Sequence, residues 1–180
     1  MTISNRGAKN AEVLKEKHIR NYLRGKSRRV LKVRRVHHTD AARIARLSTQ
    51  LGYPVSNLEM AKRLNAVSSR RQQEIFVAVI DHDIVGWLEV FLPLSVLNAG
   101  KAEIGALVVD DHFRRLGVGS ALMQAAHGWA EDNDCPFIYL RSNIVRREAH
   151  EFYRQMGYTV FKTQKVFRRL FPQTRAGKRK

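Results

Sequence analysis

The stretch "FRRLGVGSALM", residues 113–123, contains the residues best suited to hold a phosphate. Gly117 and Gly119 lack side chains, so the backbone can approach a ligand closely there. A helix is predicted to begin at this point, and the first amides of a helix point outward without an intrahelical partner. These amides, with the neighbouring arginines, are suited to a pyrophosphate. The candidate phosphate-binding residues are Arg114, Arg115, Gly117, Val118, Gly119 and Ser120.

Two known phosphate-binding motifs do not fit this stretch. A Walker loop needs a Lys-Ser/Thr pair, which does not follow "GVGS". A dinucleotide fingerprint needs a third glycine, and residue 122 is leucine. From the glycines alone, a tight turn remains as good an interpretation as a phosphate site.

The elements around this stretch predict an α/β fold with a mixed central sheet and helices on both faces. Hydrophobic periodicity predicts helices from Thr39 or Asp40 to Leu51, after a Ser56/Glu59 capping box, after Gly117, and from Ala149 to Gly157. A short helix is also predicted within residues 11–25. Strands are predicted at 30–36, 74–80, 84–92, 101–109 and 136–141, with a turn at 81–83 and a final hairpin from 158–163 and 165–171.

Composition restricts the class of protein. The chain has 180 residues, of which 44% are hydrophobic, which suits one globular domain. We find no apolar run of membrane-spanning length and no hydrophobic leader at its start. The single cysteine, Cys135, excludes an intrachain disulfide and favours the cytoplasm. The seven histidines show no metal-ligand spacing, so no metal is predicted.

The net charge of +17 is concentrated at the two ends of the chain. Residues 1–35 hold 12 Lys/Arg and 2 Asp/Glu, and residues 162–180 hold 8 Lys/Arg and no acid. The segment between them holds 13 basic and 14 acidic residues and is nearly neutral. Two basic arms can bind nucleic acid, an acidic partner or a membrane surface, or they can simply solubilise the termini. Both interpretations remain open.

Three segments resemble the GNAT superfamily of N-acetyltransferases. The run "RRLGVG" after the strand "IGALVVDDHF" resembles the family's acyl-CoA loop, whose pattern is Arg/Gln-x-x-Gly-x-Gly/Ala. The run "NIVRREAHEFYRQMGY" resembles the family's last catalytic helix, and "TDAARIARLSTQLGYPVS" resembles a common opening segment. The resemblance covers roughly residues 30–165, which would form the catalytic domain. Residues 1–29 would be a basic extension, and 166–180 a last strand with a basic tail.

The resemblance implies where acetyl-CoA would bind. In this family it lies in a cleft where two parallel strands splay apart, here 102–109 and 136–142. The pyrophosphate would lie on Arg115 and the amides of 117–120. Pantetheine would pair with the strand at Leu107, Val108 and Val109, and Asn143 would contact it. Asn143 also suits a turn or cap before the helix.

The resemblance also implies a general base and a general acid. Glu103 lies where some members carry a catalytic glutamate, and Glu89 and His112 are the alternatives. Glu103 can equally be a strand-end residue in solvent beside Lys101. Tyr153 corresponds to the tyrosine that protonates the departing thiolate, although its spacing also fits a core position.

The resulting hypothesis is an enzyme that moves an acetyl group from acetyl-CoA to a primary amine of a small molecule or peptide. The alternative is a nucleic-acid- or ribosome-associated protein of the same fold whose basic arms bind RNA or DNA. The chain would act as a monomer or homodimer.

Overall fold

The computed structural model describes residues 30–68, 72–94 and 100–171. They fall into two compact units, one ending at Arg141 and one beginning at Ser142. Within these ranges no helix is long and apolar enough to cross a membrane, and no three His, Cys, Asp or Glu side chains are grouped to hold a metal ion. The helix predicted within 11–25 and most of the basic arms lie outside the described residues.

A five-stranded mixed sheet forms the centre of the first unit, as predicted. Its strands lie side by side in the same order as in the chain. The strands are β1 (Lys32–Arg35), β2 (Gln73–Ile80), β3 (Asp83–Phe91), β4 (Ala102–Val109) and β5 (Ile138–Leu140). Adjacent strands are antiparallel except β4 and β5, which are parallel. β5 has three residues, fewer than the six that its apolar run predicts.

A two-residue turn joins β2 to β3. Asp81 has φ 50° and His82 has φ 75°, so both are left-handed. This is the type I′ geometry, whose twist matches that of a hairpin's strands. The predicted hairpin is confirmed, with a turn one residue shorter than expected.

Helices cover both faces of this sheet. On one face lie α1 (Ala41–Gln50) and α2 (Asn57–Ser68), whose Ile44, Leu47 and Leu64 pack with Val77 and Trp87 of the sheet. On the other face lies α3 (Val118–Asp132). It packs closely, because a Cβ at Gly86 would lie 3.2 Å from both Val118 and Leu122. The predicted helices on both faces are confirmed.

The start of α1 differs from the predicted cap. Asp40 precedes the helix, but its carboxylate makes no capping hydrogen bond. It accepts instead from the two terminal guanidinium nitrogens of Arg34, at 2.7 and 3.0 Å, and from the amide of His37 at 2.7 Å. A bidentate bond to a charged guanidinium is stronger than a neutral cap, which explains the exchange. At α2, Ser56 Oγ accepts from the amide of Glu59 as predicted.

The second unit contains α4 (Arg147–Gln155), which confirms the last predicted helix. It ends at Gly157, with φ 86°, where the amide of Tyr158 donates to the carbonyl of Tyr153. The predicted final hairpin is wrong, since residues 158–171 form no strand and Phe167 is 89% exposed. In "VFRRLF" apolar and basic residues come in pairs rather than alternating, so neither face of a strand would be apolar.

Candidate active site

The two parallel strands of the first unit part after a short contact. β4 pairs with β5 only from Ala102↔Ile138 to Ile104↔Leu140, while β4 continues to Val109. On that side the backbone of 105–109 has no strand neighbour within the described sheet. An extended ligand can therefore add to this edge by main-chain hydrogen bonds. The predicted pantetheine-binding residues Leu107, Val108 and Val109 lie on this open stretch, with Val108 buried.

Two residues of the loop between β4 and α3 have left-handed backbone conformations. Arg115 has φ 61° and Gly117 has φ 78°, so two left-handed residues come close together. Turns of this kind can direct successive amides into one concave surface that attracts anions. The amides of Val118, Gly119 and Ser120 open α3, before the first intrahelical bond from Ala121 to Gly117 at 3.0 Å. The loop and helix start thus have the geometry that the glycines predict.

The two arginines of this loop differ in their partners. The Arg114 guanidinium lies 2.5 Å from the Asp111 carboxylate, which partly neutralises its charge. Arg115 is exposed and makes no ion pair within the described ranges. Arg115 is therefore the better placed of the two to meet an incoming phosphate.

A buried carboxylate anchors the start of the loop. Asp110 is 4% exposed and accepts from the amide of His112 at 3.1 Å and from Arg43 of α1 at 3.0 Å. Arg43 also donates to the carbonyl of Ile84 at 2.7 Å, which fixes α1, β3 and the loop to one another. The His112 ring, an alternative base in the sequence analysis, lies 3.0 Å from the same carboxylate.

The pKa of Asp110 reflects this anchor. Burial alone would raise the pKa of Asp110, but the hydrogen bonds from His112 and the charge of Arg43 outweigh it and hold the pKa below its usual range. No local sequence signal predicts this contact, because Arg43 and Asp110 are 67 positions apart.

We predict that Asp110→Asn destabilises the protein by about 3 kcal/mol at pH 7, because it leaves Arg43 without its buried anionic partner. Since the folded pKa of Asp110 is lowered, the stabilisation is present above the unfolded pKa of about 3.9 and is lost as pH falls through the folded value. Urea unfolding at pH 7 and at pH 3 should therefore show a difference that narrows with acid. Asp111→Asn, which breaks only an exposed pair, is the matched control and should cost less than about 1 kcal/mol. Equal losses in the two variants would contradict the anchor.

Glu103, the first choice for a general base, is buried rather than in solvent beside Lys101. It is 6% exposed and lies on β4 opposite Tyr139 of β5. Its Oε2 accepts from the Tyr139 hydroxyl at 2.7 Å and from Arg141 at 3.1 Å. Burial and this bond raise the pKa of Tyr139. Lys101 lies instead over the ring of Phe137, with its Nζ 5.4 Å from the centroid.

Glu89, the second choice, lies on the same face of the sheet. It is on β3, opposite Ala106 of β4, and its Oε1 accepts from Gln73 at 2.5 Å. Burial raises the pKa of Glu89, and the Gln73 bond opposes this without cancelling it. A half-buried carboxylate with a raised pKa is a candidate for proton transfer.

The second unit contains the two remaining predicted site residues, Tyr153 and Asn143. Tyr153 lies in α4 between Phe152 and Tyr158, with ring centroids 5.4 and 6.1 Å away. Burial raises the pKa of Tyr153, so its phenol keeps its proton at neutral pH. Asn143 is exposed, and its Oδ1 accepts from the amide of Val145 at 3.1 Å, so it forms the turn before α4.

Comparison with known proteins agrees with this arrangement of strands, loop and helix. A profile of the Acetyltransferase (GNAT) family matches residues 41–158. The chain is 26% identical over 157 residues to an N-alpha-acetyltransferase from Sulfurisphaera tokodaii, covering 82% of this chain and 88% of that protein. It is 26% identical over 96 residues to N-alpha-acetyltransferase 30 from Xenopus laevis, covering 53% of this chain. It spans only 34% of the length of that frog protein.

Solved structures share the fold. The aminoglycoside N-acetyltransferase AAC(6')-Iy in complex with CoA superimposes with a TM-score of 0.72 at 15% identity, covering 79% of this chain and 97% of that one. The aminoglycoside 6'-N-acetyltransferase AAC(6')-Ih from Acinetobacter baumannii superimposes with a TM-score of 0.69 at 14% identity, covering 79% and 100%. At these identities the likeness concerns the fold alone.

Proposed function

Because the chain belongs to the GNAT acetyltransferase family, we propose that it transfers an acetyl group from acetyl-CoA to a primary amine by direct attack. The observation that carries the proposal is the continuous run from the open edge of β4 into the loop at 114–117 and the start of α3. It offers an unpaired strand edge and then an anion site, which is the order needed by a ligand with an extended arm and a pyrophosphate.

Different residues of the chain bind acetyl-CoA and donate the proton to its sulfur. The backbone of Leu107, Val108 and Val109 pairs with the pantetheine arm, and Asn143 contacts the same arm. The pyrophosphate lies on the phosphate-binding segment, which consists of Arg114, Arg115, Gly117, Val118, Gly119 and Ser120. Tyr153 donates a proton to the departing sulfur.

Direct transfer requires a neutral amine, and an alkylamine is protonated at pH 7, with a pKa of about 10.4 for lysine and about 8 for a peptide amino terminus. A carboxylate near the thioester can take that proton. Glu103 and Glu89 are the two candidates on the face of the sheet covered by α1 and α2.

Binding of acetyl-CoA is the first test of this function. At 100 times its Kd, acetyl-CoA should stabilise the protein by about 2.7 kcal/mol, which for a chain of this size raises Tm by roughly 5 to 10 °C. Scanning calorimetry with acetyl-CoA, and with adenosine as a control that lacks the pyrophosphate, measures the effect. An unchanged Tm with millimolar acetyl-CoA would reject the function.

The acceptor is tested by release of CoA. The likeness to relatives named as N-alpha-acetyltransferases supports a peptide amino terminus as the acceptor. The likeness to solved structures named as aminoglycoside acetyltransferases supports an amino sugar. A peptide with a free amino terminus, the same peptide with a blocked terminus and sisomicin cover both classes. We expect acetylation of at least one free amine and none of the blocked peptide.

Nucleic-acid binding by the basic arms stays a prediction. Residues 1–29 and 172–180 lie outside the described ranges, and the profile match ends at residue 158. A cytoplasmic location, favoured by the single cysteine, and a monomeric or homodimeric state stay predictions too.

A further inference from the structure

Three features of the sheet meet at Gly105. The register between β3 and β4 shifts from Glu89↔Ala106 to Val90↔Ile104, so Gly105 is the extra residue of a β-bulge. Ile104 is the last residue of β4 that pairs with β5, so Gly105 is also the first residue past the point where the strands part. Gly105 is exposed at this fork.

The Glu89 carboxylate lies directly over this glycine. A Cβ at residue 105 would be 2.6 Å from Glu89 Oε2 and 2.9 Å from Phe91 Cε1, so the carboxylate occupies the place of a side chain. Glycine is therefore required at 105 if Glu89 is to reach the fork. The Gln73 amide holds Oε1 at 2.5 Å and so orients Oε2 toward Gly105.

Glu89 is better suited than Glu103 to accept a proton. Glu103 Oε2 already accepts two hydrogen bonds, from the Tyr139 hydroxyl and from the charged Arg141, so this oxygen is already occupied by donors. Glu89 makes no ion pair within the described ranges, where it accepts a hydrogen bond from the neutral amide of Gln73. Because burial raises the pKa of Glu89, it binds a proton more readily than an ordinary carboxylate.

We infer that Glu89 takes the proton of the acceptor ammonium at the fork of β4 and β5, which makes it the general base of the proposed acetyl transfer. The inference rests on that proposed function. Glu89 receives one proton from the ammonium, and the neutral nitrogen then attacks the thioester carbon. The N–C bond forms and the C–S bond breaks. Tyr153 gives its proton to the CoA sulfur, and the second proton of the nitrogen replaces it on Tyr153. Glu89 then releases its proton to water, so one proton is produced for each acetyl group transferred.

The ionisable groups around Glu89 are those that could also shift its pKa. The ionisable groups on neighbouring strands of the same face are Glu103 and, bonded to it, Tyr139 and Arg141. The β2 residues of this face are Gln73, Ile75, Val77 and Val79, none of which titrates. The charged side chains of α1 and α2 are Arg43, which binds Asp110, and the exposed Arg46, Glu59, Lys62 and Arg63. The α3 helix lies on the opposite face.

Glu89→Gln keeps the shape of the side chain and removes its basicity. The assay uses the acceptor, peptide or sisomicin, that the wild-type protein acetylates. We expect the turnover of Glu89→Gln to fall at least 100-fold at pH 7, within the range of about 10²–10⁴ for loss of a general base. The defect should shrink as pH rises toward the pKa of the amine, because the acceptor then loses its proton without help. The acetyl-CoA-induced rise in Tm should stay as in the wild type, which separates this role from folding and from cofactor binding.

Two further variants isolate the pKa. Gln73→Leu removes the hydrogen bond that lowers the pKa of Glu89, so the acidic limb of the pH–turnover profile should move to higher pH. Glu74→Gln, on the adjacent position of β2, is the matched control. Its carboxylate pairs with Arg35 and lies on the other face, so the limb should stay in place.

Three outcomes would overturn the inference. One is wild-type turnover and an unchanged pH profile in Glu89→Gln. Another is an acidic limb that disappears in Glu103→Gln and persists in Glu89→Gln, which would assign the base to Glu103 and leave the acetyltransferase intact. The last is wild-type protein that binds acetyl-CoA but acetylates no amine, which would reject the proposed transfer together with the role of Glu89.

Discussion

Gly119→Val should abolish the stabilisation of this protein by acetyl-CoA. Gly119 is the second residue of α3, and its amide is one of those that open the helix. Every Cα–Cβ bond of a helix tilts toward the N-terminus, so a valine side chain at 119 would project into the space in front of these amides. That space is where the pyrophosphate would lie. If the Kd rises 100-fold, stabilisation at the former 100-fold excess falls from about 2.7 to about 0.4 kcal/mol.

The control for this variant lies in the same helix. Gly128 is nine positions further along α3, and a Cβ there would meet nothing within 4 Å. Gly128→Val therefore adds the same side chain to the same helix away from its N-terminus, and it should keep the full acetyl-CoA response. Scanning calorimetry of both variants with and without acetyl-CoA gives the comparison. A full response in Gly119→Val would mean that the start of α3 does not hold the pyrophosphate.

Local signals explain why the loop before α3 and the start of this helix could be predicted. Gly117 stands at the left-handed position that ends the loop, and the apolar spacing that follows it marks α3. A glycine at a turn and a helical spacing of apolar residues both depend only on residues close together in the chain, so the sequence alone predicts them. The same holds for the turn at Asp81–His82 and for the helix end at Gly157.

Contacts between distant residues explain why the rest could not be predicted. The bulge at Gly105 depends on the register of β3 against β4, and register is a property of the pair of strands. Without that register, the sequence indicates Glu103 as an acid in an apolar strand. It does not show that Glu89 lies over Gly105, where β4 and β5 part. The Arg43–Asp110 anchor is likewise a tertiary contact. The prediction of the final hairpin was wrong because it relied on local signals alone. Its β-branched and aromatic residues favour strands, but these strands would have no apolar face to bury.

The other large effect is expected from Tyr153→Phe. If the phenol protonates the departing CoA sulfur, its removal should lower turnover by about 100-fold or more, while the acetyl-CoA response stays close to that of the wild type. Burial raises the pKa of Tyr153, so the hydroxyl carries its proton through neutral pH, and loss of that proton should lower the wild-type rate only in alkali. Rapid-quench turnover and calorimetry on the same preparation separate the chemical step from binding.

Tyr158→Phe is the matched control for this variant. Its ring lies 6.1 Å from that of Tyr153, and burial raises the pKa of Tyr158 to about 12. The two substitutions remove the same atom from neighbouring, partly buried phenols at the end of one helix, so any general cost to packing should appear in both. A loss of turnover confined to Tyr153→Phe would assign the proton to that hydroxyl. Equal turnover in both variants and the wild type would make Tyr153 a packing residue and leave the thiolate to be protonated by water.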